Sequence, residues 1–412
     1  MGGAGRKMNP RGGVKRILCS GANPTIPDAP FFPMLRVLLL LSALSLLTLG
    51  LLTVRPAPPW SPWKLAVLAG EFGHWLAAVA TVLGVAVWLL RSGGAAWAGP
   101  TAGVCAVAAV LLAKPCWQAR RIAAELPAEF ARVWGGAAGL PMRAPFAVAG
   151  LFGGDPEPVA VETHTTAAGL PVDFYRAVRS DRTPAPCVIV IHGGGWDSGD
   201  RAQLPALNHW LARRGYAVAA ISYRLAPQFR WPAPRDDVRA AAAWLRANAG
   251  ALGVDATRLV YLGRSAGGQI AQATAFDGAE PGLRGVIALY APSDLVFGYV
   301  NTHENDMLKS PALMRQYLGG TPDTARANYE SASALNHVGP RTPPTLLVHG
   351  TLDALCWYRH SERLAARLAE AKVPHVFVQL PWATHAFDFN LHGPGGQLTT
   401  YAVEAFLAAV TR

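Results

Sequence analysis

"LVYLGRSAGGQIAQATA", Leu259 to Ala275, decides how the chain folds. Leu259 to Leu262 are strand formers, Ala266 to Ala275 are helix formers, and Gly263-Arg264-Ser265-Ala266-Gly267 lies between them. A G-x-S-x-G stretch between a strand and a helix is a sharp elbow, in which the flanking glycines give the turn room and lift the serine hydroxyl clear of the sheet. The helix that starts there points free N–H groups and the positive end of its dipole toward that oxygen.

The neighbouring segments extend this pattern. "CVIVIH", "YAVAAISY", "RGVIALY", "TLLVHG" and "HVFVQL" are short runs rich in β-branched and apolar residues, with "VAVETH" and "VDFYRAVR" as an antiparallel pair ahead of them. "RDDVRAAAAWLRANAGALG" and "YRHSERLAARLAEAK" have helical spacing and basic last turns. Strands alternating with helices predict an α/β fold, a mostly parallel sheet with helices on both faces, over residues 158–412. Sites in such sheets form at the carboxyl ends of strands.

One of those ends reads His192-Gly193-Gly194-Gly195-Trp196. Glycine is costly to order, so three in a row mark a place where something must approach the backbone. If Ser265 attacks a carbonyl carbon, charge grows on the carbonyl oxygen, and fixed backbone N–H groups stabilise it. Gly194, Gly195 and Ala266 are assigned as those donors. A serine hydroxyl also needs a base and an acid to orient that base, in the chain order serine, acid, histidine. Asp353 in "TLLVHGTLDALC" and His385 in "HVFVQLPWATHAFDF" fill these roles at later strand ends. Asp294 is a rival acid by the same order rule. Asp388 is too near His385 in sequence to face its ring from a separate loop. His192 and His349 read as structural histidines, and His375 precedes its strand.

Residues 1–33 read as a disordered tail or as sequence upstream of a start at Met34, and residues 34–115 as a membrane region of two to three helices. "LRVLLLLSALSLLTLGLLTV", Leu35 to Val54, carries one charge over the length that crosses a bilayer core. Leu65 to Leu90 is a second apolar run, with Glu71 and His74 near an interface, and Gly94 to Ala113 is a third span or a re-entrant helix. Trp60 and Trp63 suit an aromatic belt. Residues 116–157 read as a linker. Basic residues before the first span favour an extracytoplasmic catalytic domain, while Lys114, Arg120 and Arg121 argue the reverse.

The composition agrees: 51% of the 412 residues are hydrophobic, and the excess lies before residue 115. The net charge of +11 comes from scattered arginines without a basic, aromatic-studded stripe, so nucleic acid is not an expected partner. The five cysteines have no paired spacing, and neither a metal-ligand cluster nor a dinucleotide fingerprint occurs, so no cofactor is expected. Residues 294–338, with Phe297, Tyr299, Met307, Leu313, Met314 and Tyr317, read as an acyl-pocket wall or as ordinary packing. "APQFRWPAPRDD", residues 226–237, reads as another wall.

"HGGGW", "GRSAGG", "SYRLAP" (Ser222 to Pro227), the Asp353 turn and the "HAFD" at His385 together resemble the hormone-sensitive-lipase-like and carboxylesterase branch of the α/β-hydrolase fold. The resemblance covers roughly residues 155–412, and membrane-anchored bacterial esterases of that branch are similar in their apolar N-terminal spans. It implies hydrolysis of a small-molecule or lipid ester through an acyl-serine intermediate. It also implies an oxyanion hole from the second and third glycines of HGGG and the residue after the serine, matching Gly194, Gly195 and Ala266. The family usually carries Asp or Glu where this chain has Arg264, which bears on substrate preference. Amide or formamide hydrolysis by the same residues, and a catalytically silent membrane scaffold, are the alternatives.

Overall fold

The computed structural model describes residues 1–2, 31–58, 63–93, 96–136, 139–181, 183–278 and 280–412. The expected tail over residues 3–30, with its basic residues, and Trp60 of the aromatic belt lie outside the described residues.

Eight strands form one sheet in the order β1-β2-β4-β3-β5-β6-β7-β8. They are β1 (Val161–Thr165), β2 (Pro171–Tyr175), β3 (Ala185–Ile191), β4 (Ala217–Ile221), β5 (Val254–Arg264), β6 (Leu283–Leu289), β7 (Thr345–Gly350) and β8 (His375–Leu380). β1 and β2 run antiparallel, and β3 to β8 are mutually parallel. The expected antiparallel pair and parallel sheet are therefore both present.

The helices are α1 (Phe31–Leu51), α2 (Lys64–Glu71), α3 (Gly73–Leu89), α4 (Ala98–Trp134), α5 (Ala206–Arg213), α6 (Ala233–Ala247) and α7 (Ala249–Leu252). Then come α8 (Ala266–Phe276), α9 (Leu295–Val300), α10 (Ser310–Leu318), α11 (Arg326–Ala332), α12 (Arg359–Glu370) and α13 (Pro394–Val410). Each central strand is buried on both faces, which is why it reads as an unbroken apolar run. Along β3, Cys187, Ile189 and Ile191 join a core with α6, α8 and α12, and Val188 and Val190 join a second core with α4, α5 and α13. The chain reverses direction across the sheet at β3, which lies between β4 and β5. The carboxyl ends of β3 and β5 are thus the expected place for a ligand crevice.

The N-terminal helices differ from the sequence expectation in two ways. The second apolar run is not one helix: α2 and α3 meet at a 77° bend. The expected linker begins as helix, because α4 continues through Pro115 and Pro127 to Trp134, about 55 Å at 1.5 Å per residue. Its far half buries Ala119, Leu126 and Phe130 against the sheet domain, which compensates for the backbone bonds lost at proline. Residues beyond it are also tied down, with Arg143 bonded to Glu404 at 3.0 Å and the Ala147 N–H to Gln397 at 2.9 Å.

α1 and α4 are long and apolar enough to cross a membrane, and the bent α2–α3 pair passes the same test if taken as one span. Arg36, in the second turn of α1, lies over Trp97 at the start of α4, and Thr53, just past the end of α1, donates to the Leu111 carbonyl at 3.0 Å, so these helices run parallel. α3 runs against α4: Gly73 abuts Leu112, and Gly84 abuts Cys105. Cβ atoms at these glycines would overlap their neighbours, which is how the helices come so close.

Glu71 joins this bundle to the sheet domain. Its carboxylate accepts from the Trp382 indole at 3.2 Å and from the N–H groups of Gly395 and Gly396 at 2.8 and 3.3 Å, at the N-terminus of α13. Its carbonyl accepts from Asn390 at 3.2 Å. Glu71 therefore does not lie at a membrane interface as expected; it is buried, with its carboxyl oxygens met by indole and helix-end N–H groups. Replacing Glu71 by Ala leaves these donors unpaired and should destabilise the protein by about 2–3 kcal/mol. Thermal unfolding in detergent measures this, and Glu71→Gln, which keeps one acceptor oxygen, should recover part of the loss.

Candidate active site

β5 carries the chain directly into Ser265, whose φ of 52° and ψ of −122° place a non-glycine residue in strained backbone space. The Ser265 N–H donates to the Leu289 carbonyl at 2.9 Å, and α8 starts at the next residue. A Cβ at Gly263 would overlap the Gly267 carbonyl, and one at Gly267 would overlap the Ile191 and His192 carbonyls of the β3 end. The elbow glycines thus let the serine turn nest against the glycine loop.

His385 and Asp353 meet at the ends of β8 and β7. The His385 Nδ1 lies 2.7 Å from Asp353 Oδ2, while Oδ1 accepts from the N–H groups of Leu355 and Cys356 at 2.8 and 2.9 Å. Burial alone would raise the Asp353 pKa; His385 and His349 outweigh it and hold the carboxyl well below the ordinary range. His349 is the third group here. Its Nε2 lies 2.9 Å from the Cys356 carbonyl and 3.4 Å from Asp353 Oδ2, and its Nδ1 lies 2.7 Å from Ser361 Oγ.

The rivals are occupied elsewhere. Asp294 caps α9 through the Phe297 N–H at 3.0 Å and pairs with Arg363 at 2.8 Å. Asp388 pairs with Arg264 and accepts from the Tyr290 hydroxyl, both at 2.5 Å. His192 stacks on Tyr223, with ring centroids 4.2 Å apart, and its Nδ1 lies 2.7 Å from the Gly193 carbonyl. His375 bonds the Val373 carbonyl at 2.8 Å.

In the glycine loop, Gly194 and Gly195 have φ of 121° and 60°, and a Cβ at Gly194 would overlap the Ser198 carbonyl. Gly193 donates to Gln203 at 2.8 Å, whereas among the described residues the N–H groups of Gly194 and Gly195 have no acceptor. Gln269 anchors the loop: its Oε1 accepts from the Trp196 indole at 2.8 Å and from the Tyr317 hydroxyl at 3.0 Å. Sequence reading did not single out Gln269, because a glutamine inside a helix has no signature of such a role.

Two compartments meet at Ser265. The smaller, about 70 Å³, is lined by Gly195, Ala266, Phe297, Leu313, Met314 and Trp357 among others. The larger, about 920 Å³, contains Ser265, His385, Gly194 and Gly195, and its far wall is Trp63, Val67, Leu68 and Phe72. Phe297, Leu313 and Met314 thus line the cavity as expected, and Met307 lines the larger part. Tyr299 and Tyr317 do not line it: Tyr299 packs on Tyr329, and Tyr317 stacks on Trp196. Residues 226–237 line neither compartment; Trp231 is buried against Tyr317, and Asp237 holds Arg224 at 2.8 Å. The α2 wall had no sequence signal beyond its apolar character.

Arg264, the departure from the usual acidic residue, faces neither compartment. It is 1% exposed and paired with Asp388, and among the described residues its Nη1 and Nη2 have no hydrogen-bond partner. Asp388 in turn holds Tyr290, whose ring packs 4.4 Å from that of His385.

Comparison with known proteins bears on the fold and the family. A family profile described as BD-FAE matches residues 172–368, wholly within the sheet domain. Ethyl acetate hydrolase of Pseudomonas putida is 30% identical over 249 residues, covering 57% of this chain and 76% of that protein. The chain belongs to the hormone-sensitive-lipase-like carboxylesterase branch of the α/β-hydrolases. Within this branch, esterase LipC of Mycobacterium tuberculosis is 30% identical over 252 residues, 58% of this chain and 62% of LipC. The probable carboxylic ester hydrolase LipM of the same organism is matched over 58% of its length, so the chain spans about three fifths of these two relatives. Among solved structures of this fold, an esterase of Pyrobaculum calidifontis superposes with a TM-score of 0.54 at 23% identity, over 70% of this chain and 92% of that one.

Two outcomes follow from the buried ionisable groups of the sheet domain. Arg264→Met strands Asp388 without its cation and should cost about 3–5 kcal/mol, with Arg264→Met/Asp388→Asn regaining much of it in denaturant unfolding. Burial, with His349 nearby, pushes the His360 pKa down from 6.5 to about 3. Between those values the unfolded chain binds a proton that the folded state refuses. Stability should therefore fall as pH drops through that window, by up to ~1.4 kcal/mol per pH unit for this group. Thermal midpoints against pH measure the slope, and His360→Gln should flatten it.

Proposed function

We propose that the protein is a membrane-anchored serine carboxylesterase that cleaves carboxylic esters through an acyl-serine intermediate. The observation that carries this reading is the 2.7 Å contact between His385 Nδ1 and Asp353, made at the cleft that Ser265 also lines. With Nδ1–H donated to Asp353, His385 Nε2 is the acceptor left for the Ser265 proton. Ser265 Oγ attacks the ester carbon, and charge collects on the carbonyl oxygen before the N–H groups of Gly194, Gly195 and Ala266. His385 then passes the proton to the departing alcohol. Water, deprotonated by the same imidazole, attacks the acyl-serine and releases the acid. The strained elbow suits a nucleophile held in place before substrate arrives.

The membrane reading draws on the apolar α1 and α4 and on the antiparallel run of α3 between them. With all three crossing, the N-terminus and the sheet domain lie on opposite faces of the bilayer, and a cytoplasmic N-terminus makes the catalytic domain extracytoplasmic.

Hydrolysis of chromogenic acyl esters by detergent-purified protein tests this function. Ser265→Ala should reduce turnover at least ~10³-fold and abolish labelling by a fluorophosphonate, and Asp353→Asn should reduce turnover ~10⁴-fold. Turnover retained by Ser265→Ala overturns the mechanism.

A further inference from the structure

The two compartments at Ser265 are unequal, and only one holds His385. In ester cleavage by a serine, the Oγ–C bond forms as the bond from carbon to the alcohol oxygen breaks. The imidazole that took the serine proton delivers it to that departing oxygen. The alcohol half of the ester must therefore lie on the side of His385 and the acyl half on the other. His385 lines the compartment of about 920 Å³ and is absent from the lining of the one of about 70 Å³.

From this we infer that the enzyme removes a short acyl group from a large apolar alcohol that resides in the membrane. The inference rests on the carboxylesterase reading and names its substrate class. On a scale where one water takes ~10–15 Å³, the small compartment of about 70 Å³ holds about five to seven heavy atoms, a short acyl group and not a long chain. Phe297, Leu313, Met314 and Trp357 close around it.

The large compartment is walled on one side by α2, the helix that joins the apolar bundle to the sheet domain. Lys64, Val67 and Leu68 share one face of α2, at i, i+3 and i+4, and line it, and the Trp63 ring meets the His385 ring edge-on at 6.2 Å. α2 leads through its 77° bend directly into α3, which packs in the apolar bundle with α4. The rim residues Leu68, Leu308 and Phe389 are 38%, 37% and 60% exposed. An apolar rim beside apolar helices lets a long hydrocarbon slide from the bilayer to Ser265 without crossing water.

The test uses the full chain in vesicles of ether-linked phosphatidylcholine, which offer no competing ester, with hexadecyl acetate, ethyl palmitate and ethyl acetate as substrates. The kcat/KM for hexadecyl acetate should exceed that for ethyl palmitate at least ~10-fold. Val67→Trp, and Leu308→Trp outside the helices, should each lower the ratio of hexadecyl acetate to ethyl acetate turnover several-fold. Equal or reversed preference in the wild type overturns the inference while leaving the esterase intact, and so does an unchanged ratio in both folded variants. Failure to hydrolyse any of the three in a Ser265-dependent way removes the esterase reading itself.

Discussion

The site depends on one close approach of backbone to backbone. Gly267, at the first turn of α8, lies against the carbonyls of Ile191 and His192 at the end of β3, where no side chain fits. That contact brings the serine turn and the glycine loop within reach of one substrate atom. It exists only because β3 and β5 are adjacent parallel strands, paired from Cys187 with Leu259 to Ile191 with Gly263, so their ends finish level. Strain at Ser265 is tolerated because α8 is buried along its whole length and cannot relax the turn.

Three buried carboxylates surround the histidine loop, and each is satisfied differently. Asp353 meets His385 and two backbone N–H groups, Asp388 meets Arg264 and Tyr290, and Glu71 meets an indole and the N-terminus of α13. A buried carboxyl group without such partners is costly enough to reshape its surroundings. The loop from Leu380 to Gly396 is therefore held at three points, and His385 lies between them. Arg264 belongs to this arrangement and not to substrate contact: Asp388 neutralises it inside the domain.

The N-terminal helices contribute to the sheet core and to the cleft. α4 serves the bundle with one half and the sheet core with the other, and α2 closes the larger compartment. The same contact makes the cleft sensitive to how the bundle sits on the sheet, with Glu71 as the joint.

The elbow, the mostly parallel sheet with helices on both faces, and Ser265, Asp353 and His385 as candidates at strand ends were legible in the sequence, because period-two and helical patterns, glycine positions and chain order are local signals. What the tertiary structure alone decided are contacts between distant residues. Glu71 and Trp382 are 311 positions apart, and Arg264 and Asp388 are 124 apart. No local pattern announces either pair, since a buried carboxylate in a helix and an arginine in an elbow look unsatisfied until their partners fold against them. The same holds for the loop of residues 226–237, whose aromatic Trp231 packed into the core instead of lining the cavity. It holds also for α2, whose hydropathy suited part of a straight span equally well. Burial of Glu71 against α13 requires the bend, and only the folded sheet domain supplies the donors that favour it.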